Sequence, residues 1–296
     1  MSAVHRAAGA IVLTVMMMLV LTPSAWAHAG GLSPTGVRSV VVSVSPAVPG
    51  LSVSTIEDGA RLLVHNDTGR PVEIPPSDVQ TEGLSIPAGE SRTWIDSRAS
   101  SLGRDIGPAR TAPWSMAMTA DTVPVTVTGE FLAEPAPSAL LWWGLTAGIS
   151  IALVVVAKRI RRPEVLLAVA GLVTVIASFV HVVGATLAVQ SAPLWGAFLD
   201  ATGIGLLVWP MVALAALAAL RGSAGGVLAV SAGAGLSVVF LLSDITEFHY
   251  GVLPFAGPPD LSRVLVAVVL GVGSATAVAG AGALRALAQP ESESLS

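Results

Sequence analysis

From Ser138 onward the chain is dominated by five apolar runs, and nothing else in it restricts the fold as strongly. They cover residues 138–157, 164–184, 195–220, 224–243 and 264–286. Each is long enough to cross about 30 Å of hydrocarbon as a helix. Backbone in lipid has no water to bond, so a run of this kind must satisfy its amides internally. The expectation is a five-helix transmembrane bundle over residues 138–287. Pro210 is expected to kink the third span, and the small residues Gly144, Gly148, Gly271, Gly273, Gly280 and Gly282 to let helices approach closely.

The first half of the chain follows another period. "VRSVVVSVSP", "LSVSTI", "ARLLVHND", "SRTWID" and "VPVTVTGEFL" alternate apolar and polar residues in steps of two, the signature of half-buried strands. Turn residues separate them at Glu57-Asp58-Gly59 and Asn66-Asp67-Thr68-Gly69. Pro46–Gly50, Pro75-Pro76 and Pro87–Gly89 read as loops, and residues 97–113 as a long irregular one. Short strands at this spacing predict an antiparallel β-sandwich of immunoglobulin-like type over residues 28–137. The fold class is therefore α+β.

Orientation follows from charge. The only lysine and three arginines cluster in "KRIRR", Lys158 to Arg162, between the first two runs. By the positive-inside rule that loop is cytoplasmic. The β-domain is then extracytoplasmic and a tail at 288–296 cytoplasmic, in the cytoplasmic membrane of a bacterium. The N-terminus agrees: Arg6, the apolar stretch Ala8–Leu21, the helix-breaking Pro23 and small residues at Ala25 and Ala27 read as a signal peptide over 1–27. Cleavage after Ala27 leaves His28 as the first residue.

Composition narrows the function. Hydrophobic residues make up 53% and charged ones 11%, with a mean hydropathy of +0.77, so membrane lipid is the first partner. Residues 28–137 hold seven arginines against twelve carboxylates, a local charge of −5, which excludes a nucleic-acid surface and favours cations. There is no cysteine, so a metal site must use histidine, methionine or carboxylates.

Two sets of residues are candidates. In the β-domain, the α-amine and imidazole of His28 can chelate copper, and His65 ends a strand beside Asn66 and Asp67. His65 reads more simply as a surface histidine before a turn. Met116 and Met118, with Trp114, fall on one face of a strand in "WSMAM". Thioethers suit copper(I), and the same stripe suits a sandwich core. In the bundle, His181, Asp200, Asp244, Glu247 and His249 all fall at the outer ends of spans two to four. Ionisable groups at such depth are costly and have a reason to be there. Asp200 is expected to meet His181, with Asp244, Glu247 and His249 above them, as a structural pair or a metal site.

The stretches "VRSVVVSVSPAVPGLSVSTIEDGARLLVHNDTGRPVEI", "SRTWIDSRA", "VPVTVTGEF" and "PAPSALLWW" resemble a family of actinobacterial exported membrane proteins, neighbours of copper-handling proteins. In that family the tryptophan matching Trp94 precedes a histidine-rich segment. Here the segment is "IDSRASSL", with Ile95, Ser97 and Ser100 where histidines are expected, and a long insertion between Ile74 and Leu84 is missing. The departures remove the ligands that the resemblance implies.

The leading expectation is a non-enzymatic membrane protein with an exported β-domain that assists copper handling or protein assembly at the outer face, alongside other membrane or exported proteins. The alternative is a transporter or channel component whose polar mouth lies at the outer ends of spans two to four. In the inner halves of the spans the charged residues, Glu164 and Arg285, stand only at the run ends, which weighs against a continuous relay. HExxH, GxSxG and P-loop motifs are absent, so no enzyme is expected.

Overall fold

A computed structural model describes residues 29–77 and 82–288 of the chain. The signal-peptide reading, His28 and the tail after Ala288 lie outside the described residues.

The first half forms eight strands: β1 (Val37–Ser45), β2 (Leu51–Ile56), β3 (Arg61–Asn66), β4 (Val72–Ile74), β5 (Leu84–Ile86), β6 (Glu90–Trp94), β7 (Thr111–Ala120) and β8 (Val123–Ala133). They pair antiparallel into two sheets, β1-β8-β7-β4-β5 and β2-β3-β6. The period-two pattern decides which side chains turn inward. Leu62 and Val64 of β3, Trp114, Met116 and Met118 of β7, and Val125, Val127 and Phe131 of β8 share one buried cluster drawn from both sheets. Burying each side chain of this size stabilises by about 1.5–3 kcal/mol. The Trp114 indole lies so close over β8 that a Cβ at Gly129 would sit 2.2 Å from it. Asn66 closes the open end of β3. Its amide donates to the carbonyls of Arg70, Ile86 and Pro87, while its oxygen accepts from Thr68.

The second half is helical: α1 (Ala139–Arg159), α2 (Pro163–Ala188), α3 (Leu194–Thr202), α4 (Gly205–Leu220), α5 (Ala224–Phe240) and α6 (Pro259–Ala288), with a 3₁₀ segment at Leu241–Phe248. Four helices are long and apolar enough to cross a membrane, or five spans if α3 and α4 count as one. This mixed α+β layout with several long apolar helices fits a membrane protein. The third run is not one helix. α3 and α4 meet at 65°, and the break falls at Gly203, whose φ of 47° and ψ of −125° leave the helical region, while Pro210 lies inside an uninterrupted α4. A glycine adopts such a backbone without a Cβ clash, so it ends the helix before the proline can bend it.

α6 packs against α1, α2 and α5. The close approaches run through Gly271 against Ile149, Gly273 against Val238, and Gly280 against Ser231. Gly144, Gly148 and Gly282 have nothing within 4 Å of a Cβ, so the expected approach at those three positions is not made among the described residues. α1 is the peripheral helix, with 6% of its apolar window buried against 56% for α2.

The β-domain sits on one end of the bundle. Thr35 and Val252 exchange two backbone hydrogen bonds of 3.0 Å. Leu32 and Ala60 join Val182, Val189, Ala197 and Ala201 in one apolar cluster. Glu57, in a left-handed backbone at φ 55°, sends a fully buried carboxylate across the boundary. Its Oε1 accepts from the amides of Gln190 and Ser191 just past α2, and its Oε2 from Arg61 Nε. The "KRIRR" stretch starts on α1's last turn, so it lies a full helix away, ~32 Å for the 21 residues of α1.

Candidate metal centre

Below the β-domain, two segments bring ionisable side chains together. His181 projects from α2 seven residues before its end, about 10 Å inside it. Asp244 and Glu247 come from the 3₁₀ segment, whose three-residue turn sets them on one side. One ligand atom from each of the three lies within 4.8 Å of the others. His181 Nε2 is 3.4 Å from Asp244 Oδ2 and 3.7 Å from Glu247 Oε1, and all three side chains are more than nine-tenths buried.

The walls of the site hold these groups in place. Phe255 stacks on the imidazole at 6.0 Å, and its ring fits against α2 because residue 184 is glycine. Phe248 is clamped between Trp142 and Trp143 at the start of α1. From α6, Ser262 Oγ donates to Glu247 Oε2 at 2.6 Å and lies 3.3 Å from His181 Nδ1. Arg263 donates to the carbonyls of Glu247 and Tyr250 and to Asp260 Oδ1.

Three of the five expected bundle residues therefore meet. Asp200 and His249 do not join them. α3 turns Ala197 and Ala201 inward and leaves Asp200 exposed, and Asp200 takes part in none of the described hydrogen bonds or ion pairs. The expected contact assumed that spans two and three run antiparallel across a short loop, whereas α3 is bent 65° from α4 at Gly203. His249 is exposed at the end of the 3₁₀ segment. Ser262 and Arg263 were not anticipated, because hydropathy places the start of the last run at 264. The signal was present in "PPDLSR": a proline at the first helical position with an acid in the first turn marks a start at Pro259.

The β-domain candidates stand apart from this centre. His65 is exposed, its Nδ1 2.7 Å from Ser91 Oγ and its Nε2 2.8 Å from Asp67 Oδ2. Met116 and Met118 are 2% and 1% exposed in the core, where the stripe serves packing. Ile95, Ser97 and Ser100 line a surface hollow with Arg104 and Asp105.

No family model matches the chain, and no curated protein and no solved structure is significantly similar to it. The function must be argued from the site alone.

Proposed function

We propose that this chain is a non-enzymatic bacterial membrane protein, with its β-domain outside, that handles a metal cation at the outer end of its bundle. One observation carries the reading: His181, Asp244 and Glu247, from two separate segments, are buried together directly beneath the β-domain. Charges at membrane depth cost several kcal/mol unless compensated, and two carboxylates beside one imidazole make a site for positive charge. The basic loop at the far end of α1 supports the orientation. Two antiparallel sheets with one shared core support an immunoglobulin-like sandwich for the exported part. A copper version would rest on His28, His65, Met116 and Met118, and the two methionines are committed to that core.

The transport reading is favoured by a different observation, the broken helix pair at Gly203. Interrupted helices line ion sites in many transporters. Uptake by proteoliposomes separates the two, since a binding protein accumulates no ion beyond its own stoichiometry.

The primary test is the metal content of the full-length protein, purified without chelator. We expect about one ion per chain, lost in Asp244→Asn. A folded wild-type protein that holds no ion, and takes none up when ions are added, overturns the reading.

A further inference from the structure

We infer that His181, Asp244 and Glu247 form a zinc-type site: a borderline divalent ion held by one imidazole and two carboxylates, with Ser262 orienting the imidazole. The inference rests on the cation-handling reading and names the ion's class.

Proton accounting at Ser262 is the first argument. Its hydroxyl has a single hydrogen, and at 2.6 Å from Glu247 Oε2 that hydrogen is donated to the carboxylate. Toward His181 Nδ1, 3.3 Å away, Oγ can then only accept. The imidazole therefore carries its hydrogen on Nδ1 and turns Nε2 toward Asp244 Oδ2 and Glu247 Oε1. In the neutral ring Nε2 is a lone pair, so three electron-rich atoms converge, and either a proton on Nε2 or a metal ion must supply the positive charge between them. Metal-binding histidines show this arrangement, one nitrogen on the ion and the other donating to a fixed oxygen.

Distance is the second argument. Separations of 3.4 and 3.7 Å are long for N–H···O bonds, whose usual range is about 2.7–3.2 Å. They match two ligands of one tetrahedral ion. Bonds of about 2.0–2.2 Å to zinc put tetrahedral ligand atoms about 3.3–3.6 Å apart, whereas octahedral bonds of similar length give about 3.0 Å. The carboxylate–carboxylate edge lies within 4.8 Å and shortens when a cation offsets the repulsion of like charges.

Donor chemistry is the third. Imidazole and carboxylate suit zinc and its borderline neighbours, while copper(I) selects thiolate and thioether. Charge agrees, since a neutral imidazole with two carboxylates carries −2 and a dication cancels it. Three protein ligands leave one tetrahedral position for water or an incoming donor.

The test uses the full chain in detergent, stripped of metal, with cobalt(II) as a visible probe. We expect the intense absorption of four-coordinate cobalt at one ion per chain, removed by equimolar zinc and left in place by manganese(II) or copper(I). Glu247→Gln should weaken zinc binding at least tenfold. Ser262→Ala keeps all three ligands, so it should fold, shift the cobalt bands and weaken zinc binding about 10–100-fold. The pale spectrum of six-coordinate cobalt, or displacement by copper(I) or manganese(II), overturns the zinc assignment and leaves cation handling standing. Failure to bind any of the four ions overturns both.

Discussion

Glu57 and Gln190 are joined by a hydrogen bond of 2.9 Å from backbone amide to carboxylate, across 133 residues of sequence and across the boundary between β-domain and bundle. Ser191 adds a second at 2.8 Å and Arg61 a third. Glu57 thus supplies acceptors for two amides that the end of α2 leaves without helical partners, and its charge is compensated by a guanidinium of the β-domain itself.

Glu57→Ala removes the Oε1 acceptor shared by both amides and the Oε2 partner of Arg61, which keeps its bond to the Gly30 carbonyl. Leaving buried amide donors without their acceptor costs about 1–3 kcal/mol. Hydrogen exchange should therefore quicken at the amides of Gln190 and Ser191 while the centre of α6 stays protected. Unchanged protection at those two amides would show that the seam does not depend on Glu57.

Asp96 makes the β-domain acid-sensitive. Burial alone would raise its pKa, but hydrogen bonds from Arg98 and from Trp94 Nε1 hold it below its ordinary value of 3.8. A carboxylate with a depressed folded pKa adds stability above its unfolded pKa, and that share is lost as pH falls through the folded value. Asp96→Asn should cost about 1–3 kcal/mol at pH 7. The gap in melting temperature between wild type and variant should narrow below about pH 3.8. A gap that widens on acidification has the wrong sign and defeats the assignment.

Met118 separates core from copper. The side chain is 1% exposed, so Met118→Ala should cost about 2–5 kcal/mol through its cavity and leave the metal content of the protein unchanged. A variant that keeps its stability and loses an ion would restore the thioether to a ligand role.

How much of this was legible depended on the length of the signal. The apolar runs announced α1, α2, α5 and α6, because some twenty apolar residues have few alternatives. The strands with clear alternation, β1, β2, β3, β6 and β8, were legible for the same reason. β4 and β5, three residues each, carry too little pattern to stand out beside Pro75-Pro76. The Gly203 break was hidden because glycine inside an apolar run does not reveal which φ it adopts. His181, Asp244 and Glu247 could be grouped from topology, since antiparallel spans bring alternate helix ends together. Asp200 shared that depth, but depth does not fix direction around a helix, and direction decided its exclusion.

The absence of native cysteine makes orientation directly testable. Thr122, in the exposed β7–β8 turn, and Arg161, in the exposed basic loop, are on opposite sides of the proposed membrane. In intact cells an impermeant maleimide should label Thr122→Cys, and should reach Arg161→Cys only after permeabilisation. The reverse pattern inverts the topology.

Gly184 and Gly148 form a matched pair that tests whether the His181 centre depends on its aromatic wall. Both are helical glycines, and alanine is intrinsically better than glycine in a helix by about 0.8–1 kcal/mol. A Cβ at Gly148 meets nothing within 4 Å, whereas one at Gly184 would lie 2.0 Å from the Phe255 ring. That ring cannot stay in place. Its displacement would also strain the 2.9 Å bond from the Ala256 amide to the Gly184 carbonyl and free the face of His181 on which Phe255 stacks. Overpacking of this kind costs about 1–3 kcal/mol. Gly148→Ala should therefore hold or raise the melting temperature and leave metal binding as it is. Gly184→Ala should lower both, because the imidazole loses the surface that fixes its plane. If Gly184→Ala melts like the wild type and binds metal equally well, the wall is dispensable, and Ser262 alone must orient the histidine.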